Sequence, residues 1–144
     1  MKKSSLKLIG KYKFLEHTAD IKFQAFGKSL NRAFENSAIA MFRAMTSERI
    51  RAKNKKTIKI EGRDKESLLY NFLEELLFLL DTENFFLSKI KVRIEEGKFQ
   101  LTADLFGDDV KKYNPHIDIK AITYNQMFVK NEKGRWVCQV VLDV

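Results

Sequence analysis

Between Leu68 and Leu80 the apolar residues Leu68, Leu69, Phe72, Leu73, Leu76, Leu77, Leu79 and Leu80 recur at helical spacing. They cover more than half the circumference of one helix. Such a helix needs apolar cover from more than one direction, so it is expected deep in the domain, with Glu74 and Glu75 on its wet side. Asp64 or Ser67 is the expected N-cap. An earlier helix follows Ser29, another good cap, with Leu30, Ala33, Phe34, Ala38, Met41, Phe42 and Met45 along one face. Its aromatic and methionine stripe reads as core material.

The remaining apolar residues alternate with polar ones, as in half-buried strands. This holds for Tyr12 and Phe14, for Ile21, Phe23 and Ala25, and for Ile58 and Ile60. It holds again for Ile90, Val92 and Ile94, for Phe99 to Leu105, for Ile119 to Val129, and for Trp136 to Val144. Turns are expected at Glu95-Glu96-Gly97 and at Asn131 to Gly134, with an irregular loop from Gly107 to His116. The order is strands, helix, strand, helix, then a run of strands. It predicts an α+β fold: two main helices packed on a mostly antiparallel β-sheet in a single two-layer domain.

A chain of 144 residues is one domain in length, and 44% hydrophobic against 32% charged residues supplies one core. Residues 1–11 read as a flexible basic extension and residues 12–144 as the domain. The uncharged run Leu76–Leu80 is far short of the roughly 20 residues a membrane-spanning helix needs. Met1–Gly10 lacks the apolar centre of a secretory signal, so a cytoplasmic setting is expected. Cys138 is the only cysteine, which excludes an internal disulfide and a cysteine-based zinc site. The net charge of +8 favours anionic partners: RNA, DNA or an acidic protein face. The most basic stretch carries Arg49, Arg51, Lys53, Lys55 and Lys56.

No phosphate-binding glycine loop is present, since Gly27-Lys28-Ser29 lacks the upstream glycine, and no nucleophile elbow occurs. Two features break local rules. Glu16-His17-Thr18-Ala19-Asp20 places two carboxylates and an imidazole between two strand patterns. It reads either as a polar turn or as part of a site. Asp143 sits in a final strand apolar on both faces, where an ionised carboxylate must pair with a cation or reach the rim. The sharper reading joins the two: Asp20 and Asp143 converge on one divalent cation, Ca²⁺ or Mg²⁺, which removes their mutual repulsion. The terminal carboxylate of Val144 lies one residue away, and His17 would hydrogen-bond a coordinating carboxylate. Lys120, in the apolar run Ile119 to Tyr124, either reaches solvent or stands as a cation beside the acid pair or a partner.

Together these segments resemble the archease family. Glu16-His17-Thr18-Ala19-Asp20 is similar to its opening motif, and Lys120-Ala121-Ile122-Thr123-Tyr124 to its late strand motif. Leu68 to Leu77 resembles its leucine-rich second helix. Gly134-Arg135-Trp136 with Val141-Leu142-Asp143-Val144 resembles its ending. The match runs from about Tyr12 to the C-terminus. The resemblance implies a non-catalytic protein cofactor of the GTP-dependent RNA ligase of tRNA splicing, which joins a 3′-phosphate or cyclic phosphate end to a 5′-hydroxyl. Such a cofactor promotes guanylylation of the ligase and its multiple turnover. It also implies metal-binding roles for Asp20 and Asp143 and a functional role for Lys120. Asn125 departs from the family, where histidine commonly follows the tyrosine of the late motif. Gly107-Asp108-Asp109 departs where glycine and glutamate are frequent.

Two other readings compete. The basic surface would suit an RNA-binding or chaperone-like modulator of a tRNA-modifying enzyme, with tRNA as a further partner. A metal-dependent hydrolase would use the same carboxylate pair, but no substrate-pocket signature accompanies it.

Overall fold

The alternating segments near the start of the chain become β1 (Tyr12–Leu15) and β2 (Ile21–Gly27), paired antiparallel with Tyr12 opposite Ala25. The computed structural model describes residues 10–17 and 19–144. Residues 1–9, most of the expected extension, and Thr18 lie outside the described residues. Helix α1 (Leu30–Met45) begins where expected, with the Ser29 hydroxyl accepting the Arg32 N–H at 3.1 Å. Strand β3 (Asn54–Glu61) leads to helix α2 (Lys65–Glu83). Both cap candidates act there. The Asp64 carboxylate accepts the Ser67 N–H at 2.7 Å, and the Ser67 hydroxyl accepts the Asp64 N–H at 3.1 Å.

Strands β4 (Phe85–Glu95) and β5 (Gln100–Asp109) form a hairpin through a short 3₁₀ turn at Glu96–Lys98. Strands β6 (Ala121–Glu132) and β7 (Arg135–Asp143) form another. Its two central residues, Lys133 and Gly134, have φ of 55° and 79°, the left-handed pair that suits the twist of a tight hairpin.

The strands divide between two antiparallel sheets where one was expected: β1-β2-β7-β6 and β3-β5-β4. Both helices touch both sheets. Helix α2 is therefore covered from two sides, and Leu68, Leu69, Phe72, Leu73 and Leu76 are fully buried. The apolar periodicity demanded this cover without saying which strands would supply it. Helix side chains also satisfy strand backbone. Glu35, nearly buried, accepts the Val92 N–H at 2.8 Å, and Asn31 accepts the Ile94 N–H at 3.0 Å, both on the outer edge of β4. Edge groups left open would invite further pairing, so α1 closes this edge.

The segment expected to be irregular from Gly107 is strand as far as Asp109, then one 3₁₀ turn over Val110–Lys112. Two contacts explain the difference. A Cβ on Gly107 would lie 2.2 Å from the Phe86 carbonyl oxygen, so only glycine admits this close strand approach. Asp108 is buried and accepts the Asp109 N–H at 2.8 Å, the Tyr113 hydroxyl at 2.9 Å and, at 3.4 Å, the Lys112 ammonium. Burial alone would raise its pKa; these three partners outweigh that and hold it below the usual carboxylate range. Asp108 thus organises the turn. Among the described residues no helix is long and apolar enough to cross a membrane.

Candidate functional site

Three strand ends meet at one rim of the four-stranded sheet: the start of β2, the end of β7 and the start of β6. Ile21 lies opposite Leu142, and Ala121 lies opposite Asp143. The β2–β7 register ends at Ile21–Leu142; Asp143 follows Leu142 in β7, and Asp20 precedes Ile21 in a bend just before β2. The Lys120 N–H donates to the Asp143 carbonyl at 2.8 Å, which fastens the late motif to the same rim. Residues more than a hundred positions apart are thus brought together by strand pairing alone.

The exposures of the two acids differ. Asp143 is exposed, while Val141 and Leu142 before it are buried on the two faces of the strand. The rim reading of Asp143 therefore applies, and its carboxylate keeps its hydration. Asp20 is half-buried, with its Oδ2 3.6 Å from Nδ1 of His17. That separation is beyond hydrogen-bond reach. The His17 Nδ1 is itself buried and, among the described residues, has no hydrogen-bond partner. Between them Ala19 holds φ of 63°, a left-handed conformation that costs a non-glycine residue on the order of 1 kcal/mol. His17 and Asp20 line a cavity of about 720 Å³ with Phe14, Lys22 and Arg43.

The donors fit a hydrated divalent ion. Two carboxylates at a solvent-facing rim leave room for water, and Mg²⁺ is commonly held by one or two carboxylates with several waters retained. The buried His17 nitrogen, unpartnered among the described residues, lies 3.6 Å from the Asp20 carboxylate that it would steady. Among the described residues no three His, Cys, Asp or Glu side chains converge on one point, so a closed protein cage is not formed. The Val144 side chain packs against the core.

Lys120 is exposed and lines a separate groove of about 600 Å³ along α2. Glu61, Glu74, Glu75, Asp81 and Lys59 line the same groove, with Phe78, which is 55% exposed. One helical stripe carries Tyr70, Glu74 and Phe78. The Tyr124 ring stacks on Tyr70, centroids 4.2 Å apart and planes within 6°, and Tyr124 is itself 53% exposed. Burial first and the nearby Glu74 carboxylate second raise the Tyr70 hydroxyl pKa; burial and Tyr70 raise that of Tyr124.

Tyr124 stands out because β6 bulges. The register of β6 against β7 shifts between Thr123 and Phe128, and Gln126 takes φ of 57°. Its carbonyl accepts from the Gln139 amide at 2.8 Å, and its side-chain oxygen accepts from Lys22 at 2.7 Å. Asn125 lies in this bulge, exposed, its N–H reaching the Thr123 hydroxyl at 3.3 Å. Sequence reasoning missed Gln126, Lys22, Tyr70 and Arg43. No glycine marks the bulge, and the stacking partner of Tyr124 lies on another element.

The model of the archease protein family (MTH1598/TM1083) matches residues 12–144. The chain belongs to the archease family. It is 43% identical over 135 residues to protein archease of Pyrococcus furiosus, covering 90% of this chain and 95% of that one. It is 38% identical over 137 residues to protein archease of Sulfurisphaera tokodaii, covering 93% and 99%. The solution structure of Methanobacterium thermoautotrophicum protein 1598 superposes with a TM-score of 0.83 at 37% identity, covering 94% of this chain and 99% of that one. A crystal structure of a Thermotoga maritima archease, named a possible chaperone, shares the fold with a TM-score of 0.66 at 20% identity, covering 92% and 96%. The rim built from Asp20, Asp143 and Lys120 therefore lies within the part of the chain that the archease model spans.

Proposed function

We propose that this archease is a non-catalytic activator of the GTP-dependent 3′-phosphate/5′-hydroxyl RNA ligase of tRNA splicing, acting through a divalent ion held at the rim. The observation that supports the reading is the β2–β7 register, whose last pair, Ile21–Leu142, is followed along the chain by Asp143 and preceded by Asp20. Asp20 and Asp143 would hold the ion, with Val144 beside them and His17 orienting the Asp20 carboxylate. Such an ion supplies positive charge that organises phosphate oxygens. The chain's own residues do the docking. Phe78 and Tyr124 offer exposed aromatic surface, and the groove at Phe78 is lined by the acids Glu61, Glu74, Glu75 and Asp81 and the cations Lys59 and Lys120. Large apolar side chains exposed on one face mark a protein contact more readily than a lone one does.

The test is a guanylylation assay with the cognate ligase at limiting GTP. Asp20→Ala and Asp143→Ala are expected to abolish stimulation while far-ultraviolet circular dichroism stays unchanged. Lys120→Ala is expected to weaken stimulation. Full stimulation by both aspartate variants would remove the metal site from the reading. Failure of the parent protein to stimulate would favour the second reading, a chaperone-like modulator of a tRNA-modifying enzyme. That reading draws on the basic surface and on the name given to the Thermotoga maritima relative.

A further inference from the structure

A second cavity, of about 780 Å³, opens between the end of α1, the segment before β3 and the bulged part of β4. Its charge is one-sided. Arg43, Arg49, Arg51 and Lys89 line it and no carboxylate does. Among the described residues none of these four cations lies in an ion pair, although Arg32, Lys56, Arg93, Lys98 and Lys112 elsewhere all do. Glu48, the carboxylate nearest in sequence, is turned to other work. Its side chain accepts the Asn114 N–H at 2.7 Å and the Thr46 hydroxyl at 3.3 Å.

The cations are held in place. Arg43 is half-buried, and its Nη1 donates to the carbonyls of Thr46 and Glu48 at 3.3 and 2.5 Å; among the described residues the rest of its guanidinium makes no hydrogen bond. The segment carrying Arg49 and Arg51 has no regular secondary structure, yet it is pinned from both sides. The Arg51 N–H donates to the Tyr113 hydroxyl at 3.0 Å, and the Ser88 hydroxyl donates to the Ile50 carbonyl at 2.6 Å. Ile50 points inward and is buried, so Arg49 and Arg51 point out. Phe42, Ile50 and Leu87 supply an apolar lining between the charges.

Arginine forks match phosphate geometry, and an apolar lining suits a base or sugar. The cavity falls within the roughly 300–1,000 Å³ of small-ligand sites. We propose that this cavity binds a nucleoside phosphate, either free or as one residue of an RNA strand; Arg43 also lines the cavity of His17 and Asp20, so the two sites adjoin. An inorganic anion would use the charges but not the lining.

The experiment measures anisotropy of a labelled single-stranded RNA at physiological salt, with GMP and inorganic phosphate as competitors. Arg49→Ala/Arg51→Ala is compared with Lys130→Ala/Lys133→Ala, which removes the same charge from the β6–β7 hairpin. All four residues are exposed. Thermal melts confirm that both variants fold. The arginine pair is expected to weaken binding at least about tenfold and the lysine pair less than about twofold. The salt slope should fall by about 0.7 for each phosphate of the single strand that an arginine no longer neutralises. Competition by GMP well below the level needed with phosphate identifies the free nucleotide as sufficient. RNA binding that GMP does not compete away assigns the site to the strand. Equal losses in the two double variants, equal potency of GMP and phosphate, or no binding of either ligand would overturn the proposal.

Discussion

Replacing Asp143 by Asn separates two consequences of the rim geometry that have opposite signs. On the proposed reading, two carboxylates face one another at the rim without a bound cation, Asp143 exposed and Asp20 half-buried. For two charges about 5 Å apart at the dielectric of water the repulsion is about 332/(80 × 5), or roughly 0.8 kcal/mol, and salt reduces it further. Asp143→Asn removes that repulsion, so the variant in chelator should melt at a temperature equal to or up to about 2–3 °C above the parent's. With Ca²⁺ or Mg²⁺ at about a hundred times its Kd, the parent gains about 2.7 kcal/mol through linkage, and the variant gains much less. The order of stability therefore reverses on adding the ion. Differential scanning fluorimetry in chelator and in excess divalent ion reads both effects, without ligase or GTP. If the parent does not respond to either ion, or if parent and variant rise by the same amount, the two aspartates share no ion.

Three further outcomes are expected. Asp64→Ala removes the α2 cap and should cost about 1 kcal/mol near neutral pH in urea unfolding. The Ser67 N–H and hydroxyl lower the Asp64 pKa, so its contribution is complete above the unfolded value near 3.8 and is lost as pH falls through the lower folded value; the parent–variant gap should close in strong acid. Glu35→Ala leaves the Val92 N–H on β4 without its acceptor and should cost about 1–3 kcal/mol, whereas Glu35→Gln keeps a carbonyl acceptor and should recover most of that, measured by the same unfolding. The Cys138 thiol is buried, which pushes its pKa up to about 12, so it should stay unalkylated in mildly alkaline solution until the chain unfolds, as followed by mass spectrometry.

Much of the fold was legible residue by residue. Ser29 and Asp64 announce their helices because a side-chain oxygen beside a free helix N–H is a local event. The double apolar stripe on α2 states its own burial. Asp20, Asp143 and Lys120 were singled out through motifs, and strand pairing sets Ile21 against Leu142 and Ala121 against Asp143 at one rim. Lys120, however, lines a groove along α2 together with Lys59 and four acids, which the run Ile119 to Tyr124 could not reveal. Asp143 looked like a burial problem because its strand is apolar on both faces; the strand simply ends at the rim before Asp143 is enclosed.

What the amino-acid order determined by itself was local: which segments are helices and strands, where α1 and α2 begin, that α2 must be enclosed, and that the chain carries surplus positive charge. These depend on periodicity and on contacts within a few residues. Only the tertiary structure decided that the strands form two sheets, that β6 bulges to expose Tyr124, that Arg43 joins Arg49, Arg51 and Lys89 around one cavity, and that Ile21 pairs with Leu142. Strand partnership and register are selected by packing summed over the whole core, and a shift of one residue would turn every side chain to the other face. No single segment contains that information.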